Sequence, residues 1–194
     1  MPGSYTDLLQ DMLGGNYTVL NAGVSGQTML KKGKCNVNAG DPPSQYGDCT
    51  YWHTDAWKTA QMSTPDIVTI MLGTNDAKSF NWEGVQQGAG DYYALDYVSM
   101  INTLRSMHPA PQIFLMVPPP LYAPYPWKMN ATIINEIFPV LVRDIAAVTR
   151  SGVIDVHAAF AASESQNLTC DGCHPTVDGN YLIAGSIFAT LKKL

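Results

Sequence analysis

The amino-acid sequence predicts an α/β protein: a three-layer α/β/α sandwich with a parallel sheet in the middle. First, short apolar runs rich in β-branched residues alternate with segments whose apolar residues recur at helical spacing. Such alternation predicts parallel strands with helices on both faces of the sheet. Second, the helix-to-strand links are short and the strand-to-helix links are long. In an open α/β sheet the long links lie over the carboxyl ends of the strands, where ligands bind.

Four apolar runs predict buried strands: YTVLN (17–21), DIVTIML (66–72), QIFLMV (112–117) and GVIDV (152–156). Helical spacing of apolar residues predicts helices over 4–13, 54–62, 91–107, 130–149 and 176–192. Pro175 and the potential capping residue Thr176 mark the start of the last helix. The chain has 194 residues and is 46% hydrophobic, so we expect residues 1–194 to form one domain around one sizeable core.

The charge of the chain disfavours two classes of partner. The formal net charge is −5, and only 11 residues are lysine or arginine, with no basic run among them. We therefore expect neither nucleic acid nor an anionic membrane surface as a partner. No apolar stretch approaches the roughly 20 residues that a membrane-spanning helix needs.

Sequons and cysteines favour a secreted protein. N-x-[ST] triplets occur at Asn16, Asn130 and Asn167, and the four cysteines form an even set. Together these features are typical of proteins that mature in an oxidising compartment. A leader segment is then expected upstream of Met1.

Three short motifs fall in the long strand-to-helix links: NAGVSGQT (21–28), GTND (73–76) and DGCHP (171–175). The backbone N–H of Gly26 and the side-chain amide of Asn75 are hydrogen-bond donors that could converge on one oxyanion. His174 has Asp171 three residues before it, a spacing that suits a general base oriented by a carboxylate. We therefore expect these four residues to share one site.

The three motifs resemble the second, third and fifth sequence blocks of the SGNH (GDSL-type) hydrolases, a family of serine esterases, lipases and carbohydrate deacetylases. The resemblance runs from Tyr5 to the end of the chain. It implies a flavodoxin-like α/β/α sandwich in which Gly26 and Asn75 are the oxyanion donors, Asp171 is the orienting carboxylate and His174 is the base. It also implies a small-molecule or glycan ester as substrate, and it implies no metal ion and no organic cofactor.

The family's first block is missing from this sequence. That block, a G-D-S at the end of the first strand, supplies the nucleophilic serine, but none of the Gly-Asp pairs at 40–41, 47–48 and 90–91 is followed by serine. In the strand order 2-1-3-4-5 the absent strand would lie between the strands at 17–21 and 66–72. Each buried backbone group left unpaired in that gap would cost about 1–3 kcal/mol. We therefore expect the chain to be incomplete at its N-terminal end, with the serine upstream of Met1.

The serine next to Gly26 is a weaker candidate nucleophile. Ser25 lies on the ligand-binding side of the predicted sheet. A serine in such a loop more often satisfies backbone groups of the loop, and the resemblance gives Ser25 no nucleophilic role.

The cysteines near the C-terminal end allow other chemistry. Cys170, Cys173 and His174 match the attachment pattern of a c-type haem and contain a thioredoxin-like C-x-x-C. Haem would require a fold that surrounds a porphyrin and a second axial ligand, and a zinc site would lack an evident fourth ligand. The remaining interpretation is a short disulfide, Cys170–Cys173, that stiffens the loop, with a second disulfide, Cys35–Cys49, closing the loop 31–53.

The sequence thus favours an ester hydrolase and leaves two other functions open. One is a non-catalytic ligand- or carbohydrate-binding module, in which the absence of the serine is genuine. The other is an electron-transfer protein with covalent haem. Aromatic and histidine side chains in the long loops would suit a sugar or an acyl chain as a rim of the site; they are Trp52, His53, Trp82, Tyr122, Tyr125 and Trp127.

Overall fold

The computed structural model describes residues 3–35, 46–83, 88–123, 126–163, 165 and 167–194. Its elements in chain order are α1 (Tyr5–Leu13), β1 (Lys34–Cys35), β2 (Gly47–Asp48), α2 (Asp55–Met62), β3 (Ile67–Ile70), α3 (Ser79–Trp82), α4 (Ala89–Arg105), β4 (Gln112–Val117), α5 (Phe138–Thr149), β5 (Gly152–Asp155), α6 (Val156–Ala161) and α7 (Val177–Leu191). The five predicted helices are confirmed, the one predicted over 130–149 as a π-helix at Ile133–Ile137 followed directly by α5, and so are three of the four predicted strands.

The central sheet contains three parallel strands in the order β3-β4-β5. Ile67 of β3 pairs with Gln112 of β4, and Phe114 of β4 pairs with Gly152 of β5. In β4 every residue from 113 to 117 is buried. A strand covered on both faces has no solvent side, which explains why its sequence is a continuous apolar run.

Two hydrophobic cores lie on opposite faces of this sheet. Successive side chains of a strand point to opposite faces, and β4 divides accordingly: Ile113 and Leu115 join the core formed with α2, α4 and α5, whereas Phe114 and Met116 join the core formed with α1, α6 and α7. The result is the expected three-layer α/β/α sandwich.

The predicted strand at 17–21 is not part of the sheet. Tyr17 has an extended backbone, but Tyr17 and Leu20 are 46% and 55% exposed. The side chain of Gln10 in α1 takes the place of a neighbouring strand, since its Nε2 donates to the Tyr17 carbonyl at 3.0 Å and its Oε1 accepts from Val19 N–H at 2.8 Å. The prediction of a paired strand was wrong because a strand needs a partner at its edge, and none adjoins this segment among the described residues.

A groove separates this extended segment from β3. Its volume is about 940 Å³, and residues 16–23 and 63–72 form its two sides. Leu9 and Ile187 from one core and Trp57 and Met100 from the other also line it. The groove therefore lies at the level of the sheet, between the two helix layers, along an edge of β3 that pairs with no strand in the described part of the chain.

The hairpin β1–β2 carries the predicted Cys35–Cys49 disulfide, which is confirmed. Among the residues described, no helix combines the length and apolar character needed to cross a membrane.

Candidate active site

Asp171 and His174 form a hydrogen-bonded pair in the loop before α7. Asp171 Oδ2 lies 2.7 Å from His174 Nδ1, and the other carboxylate oxygen accepts the backbone N–H groups of His174 at 2.7 Å and Cys173 at 2.9 Å. The carboxylate therefore fixes both the backbone turn and the imidazole ring. The ring's second nitrogen, Nε2, makes no hydrogen bond within the described part of the chain, so it is available to accept a proton.

The pKa of Asp171 reflects these contacts. Desolvation raises it, but the hydrogen bonds from the His174 side chain and from the N–H groups of His174 and Cys173 outweigh that effect and lower the pKa to about 2. Asp171 is therefore ionised at neutral pH. A carboxylate at this position holds the neutral imidazole in the tautomer with the proton on Nδ1.

The loop that carries this pair is closed on itself at the start of α7. Thr169 bridges to Pro175, and Thr176 N–H donates to the Leu168 carbonyl at 2.9 Å. The Thr176 hydroxyl accepts Gly179 N–H at 3.3 Å, which confirms Thr176 as the cap of the helix. The Asp171–His174 pair is thus attached to a rigid helix end.

Asn75 lies in a tight turn after β3. The turn begins at Gly73, whose φ of 147° and close neighbours exclude a side chain: a Cβ would lie 2.8 Å from the Tyr93 hydroxyl. Asn75 is half-buried, and its carbonyl accepts a hydrogen bond from the Asn81 amide at 2.9 Å. Its own side-chain amide has no partner among the described residues, so it is free to donate to another group.

Gly26 lies in the loop after the extended segment, with a φ of 80° that favours glycine. The residue is half-buried, and its N–H has no hydrogen-bond partner in the part of the chain that is described. Ser25 beside it is exposed and makes no hydrogen bond to His174.

Asp76 connects the loops of Gly26 and Asn75. Its side chain is completely buried and accepts the N–H groups of Met29 at 2.9 Å and Leu30 at 2.8 Å. Burial raises the pKa of Asp76 to about 7, although the N–H groups of Leu30 and Met29 act in the opposite direction. The motifs did not predict this role of Asp76; the available signal was an acidic residue directly after Asn75, in a turn that follows an apolar strand.

Met129 connects the loop of Asn75 with the Asp171–His174 loop. Met129 forms a backbone bridge with Lys78, and the next residue's N–H donates to the Ala77 carbonyl at 2.9 Å. The sulfur of Met129 lies 3.8 Å from the sulfur of Cys173. Through Asp76 and Met129, the structure links the three loops that carry the four predicted site residues.

Trp127 stands beside the candidate base. Its ring centroid lies 5.0 Å from that of His174, and the two planes are nearly perpendicular, at 76°. Trp127 and Lys128 have φ values of 52° and 56°, in the left-handed region that costs a non-glycine residue roughly 1–2 kcal/mol. Tyr122 is also on this side of the molecule, because its N–H donates to the Gly172 carbonyl at 2.8 Å.

The other aromatic residues predicted for the rim are less available to a ligand. Trp82 packs edge-on against Phe138 in the core, and the half-buried Trp52 donates from its indole nitrogen to the Met29 carbonyl at 2.8 Å. His53 pairs with the Asp48 carboxylate. Tyr125 lies outside the described residues.

The predicted Cys170–Cys173 disulfide was wrong, since both cysteines are free thiols. Asp171 binds the N–H groups of the turn, so Cys173 points to Met129 while Cys170 remains exposed. Burial, together with the nearby Asp171, raises the pKa of the Cys173 thiol to about 11, so it is a poor nucleophile at neutral pH. In the described ranges, no group of three or more His, Cys, Asp and Glu side chains is arranged to hold a metal ion.

Comparisons with known proteins show the family of the chain. The model of the GDSL-like lipase/acylhydrolase family matches residues 2–182. An acetylxylan esterase of Xylanibacter ruminicola is 33% identical over 206 aligned positions, which cover 97% of this chain but 38% of that longer protein.

Solved structures share the fold. A carbohydrate acetylesterase from Sinorhizobium meliloti has a TM-score of 0.72 at 20% identity, and the match covers 98% of this chain and 85% of that one. An aryl esterase from M. smegmatis has a TM-score of 0.68 at 21% identity, with coverage of 99% and 86%. With a family match over nearly its whole length, the chain belongs to the GDSL-like lipase/acylhydrolase family.

Proposed function

We propose that this chain is part of a serine ester hydrolase that acts on acylated carbohydrates. The observation that carries the proposal is the ionised Asp171 bound to His174 Nδ1, in a loop linked through Met129 to the loop of Asn75. The names of similar proteins support the reaction and the substrate class, since they include an acetylxylan esterase and a carbohydrate acetylesterase.

In the proposed mechanism, His174 Nε2 accepts the proton of a serine hydroxyl as the serine oxygen attacks the ester carbonyl. Asp171 keeps the ring in the tautomer that can accept this proton, and it stabilises the imidazolium that forms. The Gly26 N–H and the Asn75 amide donate to the oxyanion of the tetrahedral intermediate. The imidazolium then protonates the leaving alcohol, and a water molecule activated by His174 releases the acyl group from the serine.

We place the serine upstream of Met1, on a strand that occupies the groove beside β3. Three observations support this placement: the groove of about 940 Å³ at sheet level, the unpaired edge of β3, and the hydrogen bonds that Gln10 makes in place of a strand. A strand parallel to β3 would end at the same edge of the sheet as the turn at 73–76. Its last residue would then be near Asn75.

Secretion is part of the same proposal. The Cys35–Cys49 disulfide and the exposed sequon residues Asn16 and Asn167 support it. Asn130 is half-buried and its side-chain oxygen accepts the Thr132 N–H at 3.0 Å, which makes it the poorest of the three glycan acceptors.

The test compares this chain with a form that includes its native upstream residues, using a short aryl acetate. We expect hydrolysis by the extended form alone, and in that form His174→Ala should lower kcat by at least about 10³-fold. The matched control is His53→Ala, because His53 is the other exposed histidine with an aspartate on its Nδ1. Inactivity of both forms would favour the non-catalytic binding module, and a near-normal rate for His174→Ala would remove His174 from the mechanism.

A further inference from the structure

We propose that Trp127 is a stacking platform for a sugar ring of the substrate, directly beside the imidazole of His174. This inference rests on the proposed function and narrows it, because it assigns the carbohydrate part of the ester to a defined surface. We call that surface the Trp127 platform. It consists of the indole of Trp127 and a depression lined by Ser79, Glu83 and residues 128–132.

The geometry leaves an indole face open next to the reacting centre. In a nearly perpendicular contact, the edge of one ring meets the face of the other. Whichever ring supplies the edge, at least one face of the Trp127 indole remains free of His174. Trp127 is 51% exposed, so about half of its surface is accessible to a ligand.

The backbone holds this ring in position. Two consecutive residues, Trp127 and Lys128, have left-handed backbone conformations that non-glycine residues rarely adopt. Such strain persists only where the surroundings enforce it, and it concentrates at functional sites. A large aromatic side chain held partly in solvent by a strained backbone is a feature that packing alone does not explain.

The described residues on either side of Trp127, 121–123 and 128–129, are anchored to the rest of the protein. On the N-terminal side, the backbone of Leu121 makes two hydrogen bonds with the side chain of Asn135, at 2.8 and 2.9 Å, and Tyr122 N–H donates to the Gly172 carbonyl. On the C-terminal side, Met129 is buried and bridges to Lys78. The platform is therefore connected both to the loop of Asn75 and to the loop of His174.

The chemistry next to the platform favours a sugar over an acyl chain. The depression, about 420 Å³ in volume, is lined by Met129, Ala131 and five polar or charged residues, so its wall is not continuously apolar. The five polar or charged residues are Ser79, Glu83, Lys128, Asn130 and Thr132. These groups can donate to and accept from hydroxyl groups, whereas an acyl chain requires a continuous apolar wall. In the proposed arrangement, one sugar ring stacks on Trp127 and a second ring contacts the depression lined by residues 128–132, which follow Trp127 in the chain.

Binding to the extended form tests the platform, and because xylotetraose carries no ester, binding is measured without turnover. The probe is xylotetraose, titrated by isothermal calorimetry and by amide NMR shifts. We expect Trp127→Ala to weaken the Kd at least about tenfold and Trp127→Phe, which retains an aromatic face, to remain within about threefold of wild type. Tyr92→Ala is the matched control, because Tyr92 is similarly exposed but lies in α4 and lines neither the groove nor the depression, and it should leave the Kd unchanged.

Two results would overturn the platform: xylotetraose that fails to bind the wild-type extended form at millimolar concentration, or that binds Trp127→Ala as tightly as wild type. In the extended form, Trp127→Ala should lower kcat/KM at least about tenfold for acetylated xylotetraose and less than about threefold for an aryl acetate, which has no sugar. An equal loss on both esters would instead make Trp127 a positioning residue for His174 and reject the stacking role. If the extended form hydrolyses neither ester, the proposed function fails, and the binding titration still decides whether the platform exists.

Discussion

Replacing Asp171 with asparagine tests how His174 is held for catalysis. The carboxylate accepts two backbone N–H groups on one oxygen and the imidazole Nδ1 on the other. An asparagine whose carbonyl oxygen keeps the two backbone bonds must present its NH₂ group to Nδ1. Because that group donates, Nδ1 has to accept, and the ring proton moves to Nε2. His174 is then unable to accept a proton from the serine.

The size of this effect follows from the contact that is lost. A hydrogen bond to a charged group contributes about 1.5–3 kcal/mol, which corresponds to a ratio of roughly 10 to 100 between the two neutral tautomers. The side chains of Asp171 and His174 are 35% and 57% exposed, so solvent screens the interaction and the lower end applies. We therefore expect an approximately tenfold preference for the Nδ1–H tautomer in the wild type and a reversed preference in Asp171→Asn.

The assay is ¹⁵N NMR of the imidazole at a pH where His174 is neutral, because protonated and unprotonated ring nitrogens have well-separated chemical shifts. It needs no catalytic turnover and is therefore possible on this chain. In the extended form, the same substitution should lower kcat by about 10⁴-fold, as it does in a serine protease triad. An unchanged tautomer in Asp171→Asn, or a wild type that already carries its proton on Nε2, would refute the orienting role of Asp171.

Three further predictions concern stability, measured by urea unfolding. Gly172→Ala should destabilise the protein by at least about 2 kcal/mol, because the φ of Gly172 is 87° and a Cβ would lie 2.3 Å from a backbone oxygen. The control is Gly185→Ala in α7, where a Cβ would contact nothing within 4 Å. This substitution should instead stabilise α7 by about 1 kcal/mol. Asp76→Asn should leave one buried N–H without an acceptor, at about 1–3 kcal/mol. Burial raises the folded-state pKa of Asp76 from 3.8 to about 7, so the unfolded state ionises first as the pH rises. The free energy of unfolding of the wild type should therefore fall as the pH rises between these values, and its difference from that of Asp76→Asn should become smaller. A difference that stays constant with pH contradicts this. Cys49→Ala should cost about 3 kcal/mol by opening the loop closed with Cys35, 14 positions away, and an unchanged urea midpoint would show that the disulfide does not restrain the unfolded chain.

Most of the fold was predictable from the sequence because each layer leaves a local pattern. Helices covered on one face show apolar residues at helical spacing, and β4, covered on both faces, is a continuous apolar run. The segment at 17–21 has the same composition as a buried strand but is not paired. Pairing depends on a neighbouring strand, and composition does not report whether that neighbour is present. The substitute bonds from Gln10 are equally invisible in a local pattern.

Contacts of the candidate site were predictable where the two residues are close in sequence and unpredictable where they are distant. Asp171 and His174 are three residues apart, so their pairing could be anticipated. Asp76 receives N–H groups from Met29 and Leu30, which are 47 and 46 residues away, and no local pattern contains that contact. The left-handed backbone at Trp127 is one that non-glycine residues rarely adopt, so the residue type did not predict it.

The most direct test of the proposed catalytic site is phosphonylation of the extended form by an aryl alkylphosphonate, which leaves a tetrahedral group on a reactive serine. The measurement is the mass of the adduct together with the NMR shifts of the Gly26 N–H and the Asn75 side-chain amide. We predict one phosphonyl group per chain on the upstream serine, with both donor signals shifted by hydrogen bonds to the phosphonyl oxygen. An adduct that leaves both signals unchanged would contradict the proposed oxyanion site, and the absence of any adduct would contradict the serine mechanism itself.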